Sequence, residues 1–312
     1  MLLLGQKYTF TSLERQRLEK KFTNIESIVY KTQDPQHVIE QIKKVLEHET
    51  FTLIVLNTKA KVDDEIIKFL TNLKFEMQDS KFQLISIENF LEEYLHKCYI
   101  PEDNTDLHYL DDIQPFTTLQ NIQKNIVDMV AVFFLFIAFV PFRFIAKKKI
   151  QEQSPGSLYF KQLRVGLKNQ EFECIKFRSM AEDAEKNGVA FAKEGDSRIF
   201  PFGEIMRKTR IDELPQVFNI IKGEMSLIGP RPERRYWIEK DFEKNIPYYN
   251  QRHIVKPGIT GWAQVMYPYG DGIKDAKQKL MYDLYYIKNW SFLLELKVIW
   301  KTIIVILHRK GV

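Results

Sequence analysis

The sequence predicts an α/β protein in three parts: a small N-terminal α/β domain over residues 1–115, a re-entrant membrane helix hairpin over 116–153, and a compact α+β domain with amphipathic interfacial helices over 154–312. A chain of 312 residues is long enough for about two domains. Its most apolar stretch lies between residues 126 and 146. The charge changes sign nearby, because residues 1–120 hold 14 Lys and Arg against 20 Asp and Glu, whereas residues 121–312 hold 32 against 21. The second part should therefore attract anionic partners.

Composition excludes several classes of protein. Apolar residues make up 45% of the chain and charged residues 28%, so a disordered or collagen-like chain is excluded. Cys98 and Cys174 are far apart and have no His at ligand spacing, which argues against a zinc site or a disulfide framework and favours a reducing, cytosolic environment. Gly5, Gln6 and Lys7 follow the first four residues at once, so no signal peptide is expected and the N-terminus should stay in the cytosol.

The N-terminal part reads as a small α/β domain. Residues 51–57 form a predicted buried strand, 63–75 an amphipathic helix and 81–87 a second strand. No Gly-rich loop follows the first strand, so the backbone amides that hold a phosphate are missing there. We therefore expect a non-catalytic domain, followed by an acidic, irregular linker over 99–118 with the boundary near residue 115.

The next segment is apolar but short. Its uncharged run, Met129–Phe142, has 14 residues, whereas a full membrane span needs about 20. Pro141 should kink a helix near its end. Lys124 precedes the run and Arg143 follows it, so the two flanks are both basic. A hairpin with both ends in the cytosol fits best, and a core helix of a soluble protein or a tilted span are the alternatives.

A second membrane candidate lies at the C-terminus. Residues 290–307 are rich in Leu, Ile and Trp but are interrupted by Glu295, Lys297 and Lys301. Such a helix could lie in the membrane interface with its charges toward water. An ordinary amphipathic core helix fits the same pattern.

Two stretches concentrate polar groups. In residues 176–180, Lys176 and Arg178 share one face of a predicted strand and could contact a phosphate or a carboxylate, although a solvated strand edge is the alternative. Further on, Pro215 is tolerated in a first helical turn, which predicts Asp212 as the helix cap and Glu213 in that turn. A positive helix end there would favour anions, and Arg207 and Arg210 could grip a diphosphate. A capping Asp with a dipole-complementing Glu is the purely structural alternative.

Two proline- and glycine-rich motifs follow. Arg231 stands between Pro230 and Pro232, and such a stiff backbone orders a phosphate-binding Arg at little entropic cost. Residues 257–262 predict a tight turn suited to a base or sugar. The motifs of zinc hydrolases, serine hydrolases and Walker-type ATPases are absent from the sequence.

The sequence closely resembles the bacterial sugar transferase family, because several separate motifs occur in the order that this family has. They are the apolar segment, Lys176-Phe177-Arg178-Ser179-Met180, Arg207 through Asp212-Glu213-Leu214-Pro215-Gln216, Gly229-Pro230-Arg231-Pro232 and Pro257 through Trp262. Its members are monotopic phosphoglycosyl transferases, also called polyprenyl-phosphate glycosylphosphotransferases. The resemblance covers about residues 120–312, and the segment 282–290 with the helix after it looks like the exopolysaccharide branch.

The resemblance implies an enzyme of the bacterial inner membrane that works at the cytosolic face. It would transfer a sugar 1-phosphate from a nucleotide diphosphosugar, usually a UDP-sugar, to undecaprenyl phosphate with Mg²⁺ and release UMP, which starts a surface polysaccharide, lipopolysaccharide or other glycoconjugate. Asp212 would be the nucleophile and a ligand of the metal, and Glu213 would assist it. Arg207 and Arg231 would contact phosphate, while the role of Arg210 is inferred from its charge alone.

Some features depart from the family. Most relatives in the exopolysaccharide branch begin with several membrane spans, and we expect none before residue 120. Residues 266–270 stand where many members carry Asn-Gly-Arg, so base and sugar contacts are not carried over there. The alternative function is a non-catalytic membrane scaffold that recruits later glycosyltransferases. Such partners and a homo-oligomer are compatible with the sequence, whereas nucleic-acid binding is not expected because no recognisable RNA or DNA module is present.

Overall fold

A computed structural model of the chain describes residues 1–29, 34–48, 51–58, 62–77, 82–102, 111–184, 186, 195–267, 270 and 272–307. They divide into two compact units, Met1–Tyr99 and Ile100–Val312. The domain boundaries expected near residues 115 and 153 stay predictions. Residues 103–110 of the expected linker lie outside the described residues.

The first unit is a parallel α/β sheet. Its strands are β1 (Leu2–Leu4), β2 (Glu26–Ile28), β3 (Leu53–Leu56) and β4 (Gln83–Ser86), in the spatial order β2-β1-β3-β4 with every pair parallel. The helices are Ser12–Glu19, Pro35–His48, Asp64–Glu76 and Ile87–Leu95. The strand, helix and strand predicted between residues 51 and 87 are confirmed, and each observed strand is shorter than its predicted range at both ends.

Polar side chains connect the segments that follow β1 and β3. The Asn57 side chain accepts a hydrogen bond from the Tyr8 amide at 2.7 Å and donates one to the Tyr8 carbonyl at 2.9 Å. The buried Lys97 ammonium donates to the Glu14 carboxylate and, at 2.5 Å, to the Tyr8 hydroxyl. These contacts tie Tyr8, which follows β1, to Asn57, which follows β3, and to the buried Lys97.

The second unit begins with one long apolar helix, Thr118–Gln153. Thr117 and Gln120 cap its start reciprocally. Its most apolar 18-residue window has a mean hydropathy of 2.4, so by length and composition the helix could cross a membrane. Only 11% of that window is buried inside the protein. The helix runs without a break through Pro141. One long apolar helix at the expected place is thus confirmed, which is consistent with membrane association, and the hairpin remains a prediction.

The apolar helix has two different apolar sides. One stripe packs against the remainder of the second unit. Phe139, Ala146 and Ile150 are buried there, and the Phe139 ring stacks on Phe177 with centroids 5.8 Å apart. The opposite side is exposed and consists of large apolar residues: Met129, Val130, Phe133, Phe134, Ile137, Val140 and Phe144. A core helix of a soluble protein would be covered on both sides, so this exposure favours a lipid-facing surface.

Short elements build the remainder of this unit. Strands β5 (Tyr159–Val165) and β6 (Glu171–Phe177) pair antiparallel, and β7 (Ser226–Ile228) pairs parallel with β8 (Gly258–Thr260). The described helices and helical turns are Pro201–Lys208, Ile211–Gln216, Val217–Ile221, Arg235–Trp237, Ile238–Phe242, Glu243–Asn245, Tyr249–Ile254, Trp262–Met266, Ile273–Lys288 and Phe292–Leu307.

The tight turn expected at residues 257–262 is wrong, because this segment is strand β8 and the start of a helix. Its glycines allow two backbones to touch. A Cβ on Gly258 would lie 2.1 Å from the Gly229 nitrogen, and one on Gly261 would lie 2.2 Å from the Gly229 oxygen. The glycines of both motifs therefore permit the close approach of the two backbones beside the parallel pair β7 and β8.

The C-terminal helix Phe292–Leu307 exposes an apolar face that includes Phe292, Leu293, Leu296, Trp300 and Leu307. This face suits the interfacial position expected from the sequence. The expectation that all its charges face water is wrong for Glu295, which is buried and pairs with Lys124 at 3.1 Å. A charge on an apolar helix can turn inward when a buried partner meets it.

Candidate active site

A cleft of about 620 Å³ opens in the second unit. Ten cationic and five acidic side chains are among the described residues that line it. The cations are Arg164, Lys176, Arg178, Arg198, Arg207, Arg210, Arg231, Arg234, Arg252 and Lys279, and the acids are Glu182, Asp212, Glu213, Glu233 and Asp283. A cleft with this excess of positive charge attracts an anionic ligand.

The adjacent carboxylates Asp212 and Glu213 lie in the first turn of the 3₁₀ helix Ile211–Gln216. Their position at a helical start is confirmed, but the prediction that Asp212 caps it is wrong. Arg210 occupies the cap position in a left-handed conformation with φ 59°, and no side chain makes a capping hydrogen bond. Because the helix begins before Asp212, this carboxylate is free for another use.

Asn219 fixes the helix that follows the two carboxylates against strand β6. Its side chain accepts a hydrogen bond from the Ile175 amide at 3.1 Å and donates one to the Glu173 carbonyl at 2.7 Å. Lys176 is the next residue on this strand, and its ammonium donates to Glu213 Oε1 at 2.7 Å. One buried amide thereby sets the register between Lys176 and the carboxylates.

Three cations converge on the same oxygen of Glu213. Besides Lys176, both terminal nitrogens of the Arg231 guanidinium lie 3.2 Å from Oε1, and the nearest Arg210 nitrogen lies 3.8 Å away. Burial raises the pKa of Glu213, but Lys176, Arg231 and Arg210 outweigh it and hold that pKa far below the ordinary value. Glu213 is therefore ionised and fully engaged at neutral pH.

Asp212 has the opposite environment. It is only 6% exposed, and its Oδ1 atom has no hydrogen-bond partner among the described residues. Burial raises the pKa of this carboxyl and Glu213 adds to the rise, whereas Lys176, Arg207 and Arg210 oppose it. The fold thus presents a buried carboxylate oxygen that no neighbouring donor satisfies, which is unusual unless the group has a ligand or a reaction.

Arg207 and Arg178 differ in how their donors are used. The Arg207 guanidinium lines the cleft and makes no hydrogen bond or ion pair within the described residues. Arg178 is buried, and its guanidinium donates at 2.7 Å to the Ser157 carbonyl and at 2.7 Å to the Ser154 hydroxyl. Arg178 therefore fastens the end of the apolar helix, and its predicted contact with substrate remains a prediction.

Sequence reasoning missed a buried support under Arg231. Arg252 donates to the Arg231 carbonyl at 2.8 Å and to the Tyr249 hydroxyl at 2.6 Å, and its guanidinium lies 2.8 Å from Asp283. Asp283 is far along the chain and lies within an otherwise apolar stretch of the helix Ile273–Lys288. A charged residue inside an apolar helical stretch indicates in the sequence that Asp283 has a buried partner. Only the fold shows that this partner is Arg252.

No group of three or more His, Cys, Asp or Glu side chains that could hold a metal occurs in the part of the chain that the structure describes. A magnesium ion does not require such a cage, since it commonly binds one or two carboxylates together with substrate phosphates. The unpartnered Oδ1 of Asp212 is suited to such a ligand.

Comparison with known proteins agrees with this geometry. A profile of the family described as Bacterial sugar transferase matches residues 119–309, and the chain belongs to that family. A UDP-N-acetylgalactosamine-undecaprenyl-phosphate N-acetylgalactosaminephosphotransferase of Aeromonas hydrophila is 46% identical over 188 residues, which are 60% of this chain and 44% of the relative. A UDP-glucose:undecaprenyl-phosphate glucose-1-phosphate transferase of Xanthomonas campestris pv. campestris is 38% identical over 198 residues, 62% of this chain and 40% of the relative.

A third relative, the Exopolysaccharide production protein PSS of Rhizobium leguminosarum bv. phaseoli, is 34% identical over 188 residues, 59% of this chain and 94% of the relative. The chain therefore matches less than half the length of the first two relatives and nearly all of the third. In all three cases about three fifths of this chain takes part in the match.

Proposed function

We propose that this chain transfers a sugar 1-phosphate from a UDP-sugar to undecaprenyl phosphate and releases UMP, as the first membrane step in making a surface polysaccharide or glycoconjugate. The observation that carries the proposal is the buried, unpartnered Oδ1 of Asp212 in a cleft with a strong excess of cations. The names of two relatives specify a UDP-sugar and undecaprenyl phosphate, and the third is named for exopolysaccharide production.

The proposed reaction has two displacements at one phosphorus atom. An Asp212 carboxylate oxygen attacks the phosphorus that carries the sugar, and the bond from this phosphorus to the bridging oxygen breaks, so UMP leaves with that oxygen. An oxygen of undecaprenyl phosphate then attacks the same phosphorus, and Asp212 regains its carboxylate. The product is a lipid diphosphosugar. Covalent catalysis of this kind replaces one difficult step with two easier ones.

The surrounding residues have separate roles in this proposal. Arg207 has donors to spare and binds the diphosphate. Arg231 and Lys176 hold Glu213 and face the cleft, so they stabilise the charge that develops on the phosphoryl oxygens. Glu213, with its pKa held low, keeps these two cations in place beside Asp212. Arg210 adds positive charge at the same position.

Magnesium is the cofactor of the proposed reaction. Asp212 Oδ1 and the diphosphate of the substrate would hold the ion, which neutralises phosphate charge when bound. Glu213 is less suited to this role because three cations already surround its Oε1.

The proposed location is the cytosolic face of the bacterial inner membrane, with both ends of the apolar helix on that face. Contacts along the helix support this orientation. Asp128, just before the uncharged run Met129–Phe142, accepts a hydrogen bond from the Leu227 amide at 2.7 Å, and Gln153 at the end of the helix accepts one from the Phe202 amide at 2.8 Å. A helix that is held by one polar unit on both sides of its uncharged run does not carry either end across a bilayer. The exposed apolar face then enters the lipid from one side.

The experiment that tests the function is transfer of radiolabelled sugar from UDP-sugars into butanol-extractable lipid, with UMP measured in parallel. Full-length protein in vesicles that contain undecaprenyl phosphate should produce both products in equal amounts. Vesicles without the lipid acceptor serve as the control. If no UDP-sugar in a broad panel gives either product, the enzyme proposal is wrong and the scaffold alternative stands.

A further inference from the structure

Two charged side chains, Lys124 and Asp128, are buried in the first half of the apolar helix Thr118–Gln153. They are only 4% and 5% exposed. Because they are one helical turn apart, they lie on the same stripe. Burial of a charged side chain is costly unless it has partners, so the contacts of these two residues need an explanation.

Both residues bind the backbone of the same strand. The Leu227 amide donates to Asp128 Oδ1 at 2.7 Å, and the Lys124 ammonium donates to the Ile228 carbonyl at 2.8 Å. The ammonium is also held by the Tyr286 hydroxyl at 3.0 Å and by Glu295 at 3.1 Å. The apolar helix is therefore fastened to two consecutive residues of β7 by directed polar contacts.

Strand β7 leads directly to Arg231, three positions after Ile228. Pro230 before Arg231 and Pro232 after it restrain the backbone here, and so does pairing with β8, since the Gly229 amide donates to the Thr260 carbonyl at 2.9 Å and the Pro230 carbonyl accepts from the Gly258 amide at 3.0 Å. The Arg231 guanidinium then ends 3.2 Å from Glu213. A continuous series of restrained contacts thus runs from the apolar helix to the carboxylate pair.

We propose that Lys124 and Asp128 are positioning residues that set the place of Arg231 by holding β7 against the apolar helix. The outward face of the same helix is apolar and suits lipid. In this proposal the position of the helix in the membrane therefore also determines the position of Arg231 in the cleft. The effect on rate rests on the proposed function. The effect on β7 does not, and the two are therefore measured separately.

The first measurement is amide hydrogen exchange across residues 226–232 in the full-length protein held in lipid nanodiscs. Asp128→Ala removes the acceptor of the Leu227 amide and should speed exchange in this segment about tenfold or more. Asp128→Asn keeps an oxygen at that place and should stay close to the wild type. Asn125→Ala, at an exposed position of the same helix, is the matched control. Unchanged exchange in Asp128→Ala overturns the proposal whether or not the protein has the proposed activity.

The second measurement asks whether the effect passes through Arg231. With the wild-type Arg231, Asp128→Ala should lower kcat about tenfold, whereas in an Arg231→Ala background the same change should lower it less than about twofold. Equal losses in both backgrounds contradict the proposal, because a general loss of folding would act independently of Arg231. If wild-type protein shows no transfer, the proposed function fails, and the exchange measurement still decides the positioning role.

A second variant covers the case in which Asp128→Ala does not fold. Lys124→Met combined with Glu295→Gln removes both charges of the buried pair and leaves neither one unpaired. The Ile228 carbonyl loses its ammonium donor, so exchange over residues 228–232 should again rise. Unchanged exchange and an unchanged kcat in this double variant would overturn the proposal as well.

Discussion

The Lys176 ammonium lies 2.7 Å from Oε1 of Glu213 and gives that carboxylate a partner that its neighbour Asp212 lacks. Two adjacent acids therefore have opposite environments within one helical turn. The pKa of Glu213 is held low by its cations, whereas burial raises the pKa of Asp212. This difference separates a carboxylate that holds the site together from one that can react.

Loss of Arg231 should reduce the rate far more than loss of a surface cation. Arg231→Ala removes the guanidinium that is proposed to bind phosphate in the cleft, and it should lower kcat about 10² to 10³-fold, since one preorganised donor is worth on the order of 2–4 kcal/mol in the transition state. Lys208→Ala is the matched control, because Lys208 is exposed and its one ion pair among the described residues is with Glu204 on its own helix. The rate of UMP release in vesicles is measured for both variants. Similar rates for the two variants would remove Arg231 from the mechanism.

The acid side of the pH profile should follow Asp212. Only the ionised carboxylate attacks, so the rate should rise with pH through a pKa above the ordinary value of about 3.9. Lys176→Met removes a cation that lowers the pKa of Asp212 and should shift this limb to higher pH. Glu213→Gln removes an anion that raises it and should shift the limb to lower pH. The test compares pH–rate profiles, each normalised to that variant's own maximum. The prediction is wrong if the acid limbs of the two variants shift in the same direction.

Gly229→Ala should destabilise the second unit. An added Cβ would lie 2.4 Å from the Lys256 carbonyl oxygen and 2.9 Å from the Gly258 nitrogen, and these backbone atoms are held by the pairing of β7 with β8. We expect a loss of about 1–3 kcal/mol, typical of an overpacked interior. Gly166→Ala is the control, because the nearest atom to its added Cβ is in the Phe172 ring at 3.1 Å, so a side chain and not the backbone would have to shift, and only slightly. Thermal unfolding in nanodiscs compares the two variants, and equal melting temperatures would contradict the close backbone packing at Gly229.

The apolar helix should have both ends on the same side of the membrane. Cysteines introduced at Asn121 and Gln151, which are exposed near either end, should react with a membrane-impermeant maleimide from the same face of sealed vesicles. Ser154 is avoided because Arg178 binds it. The native Cys98 and Cys174 are buried, so the background should be low. Reaction of the two introduced cysteines from opposite faces would show a true span instead.

Local patterns predicted much of this protein correctly. Hydrophobic periodicity located the strands around residues 53–56 and 83–86, and Pro215 located the start of the helical segment that carries Asp212 and Glu213. These features depend on neighbours in the sequence. The contact between Glu213 and Lys176 does not, because Lys176 is 37 residues away and reaches the site only through the register of β6.

The remaining errors share a physical cause. A glycine that lets a ligand approach and a glycine that lets another backbone approach look alike in sequence, so the segment 257–262 predicts a ligand turn where the structure has strand β8. Likewise, the sequence is compatible with Glu295 either facing water or turning inward, and its partner Lys124 is 171 residues away. Long-range pairing decides both cases, and a single sequence does not contain it.

The most direct test of the central claim is a search for sugar phosphate on Asp212. Full-length protein given a UDP-sugar that it uses, but no lipid acceptor, should release up to one equivalent of UMP and gain one sugar phosphate on the peptide that contains Asp212, as seen by mass spectrometry. Asp212→Asn should give neither, because an amide does not replace the attacking carboxylate. Full turnover by Asp212→Asn, or a sugar phosphate on a different residue, would contradict the account and indicate direct attack by the lipid phosphate or a different nucleophile.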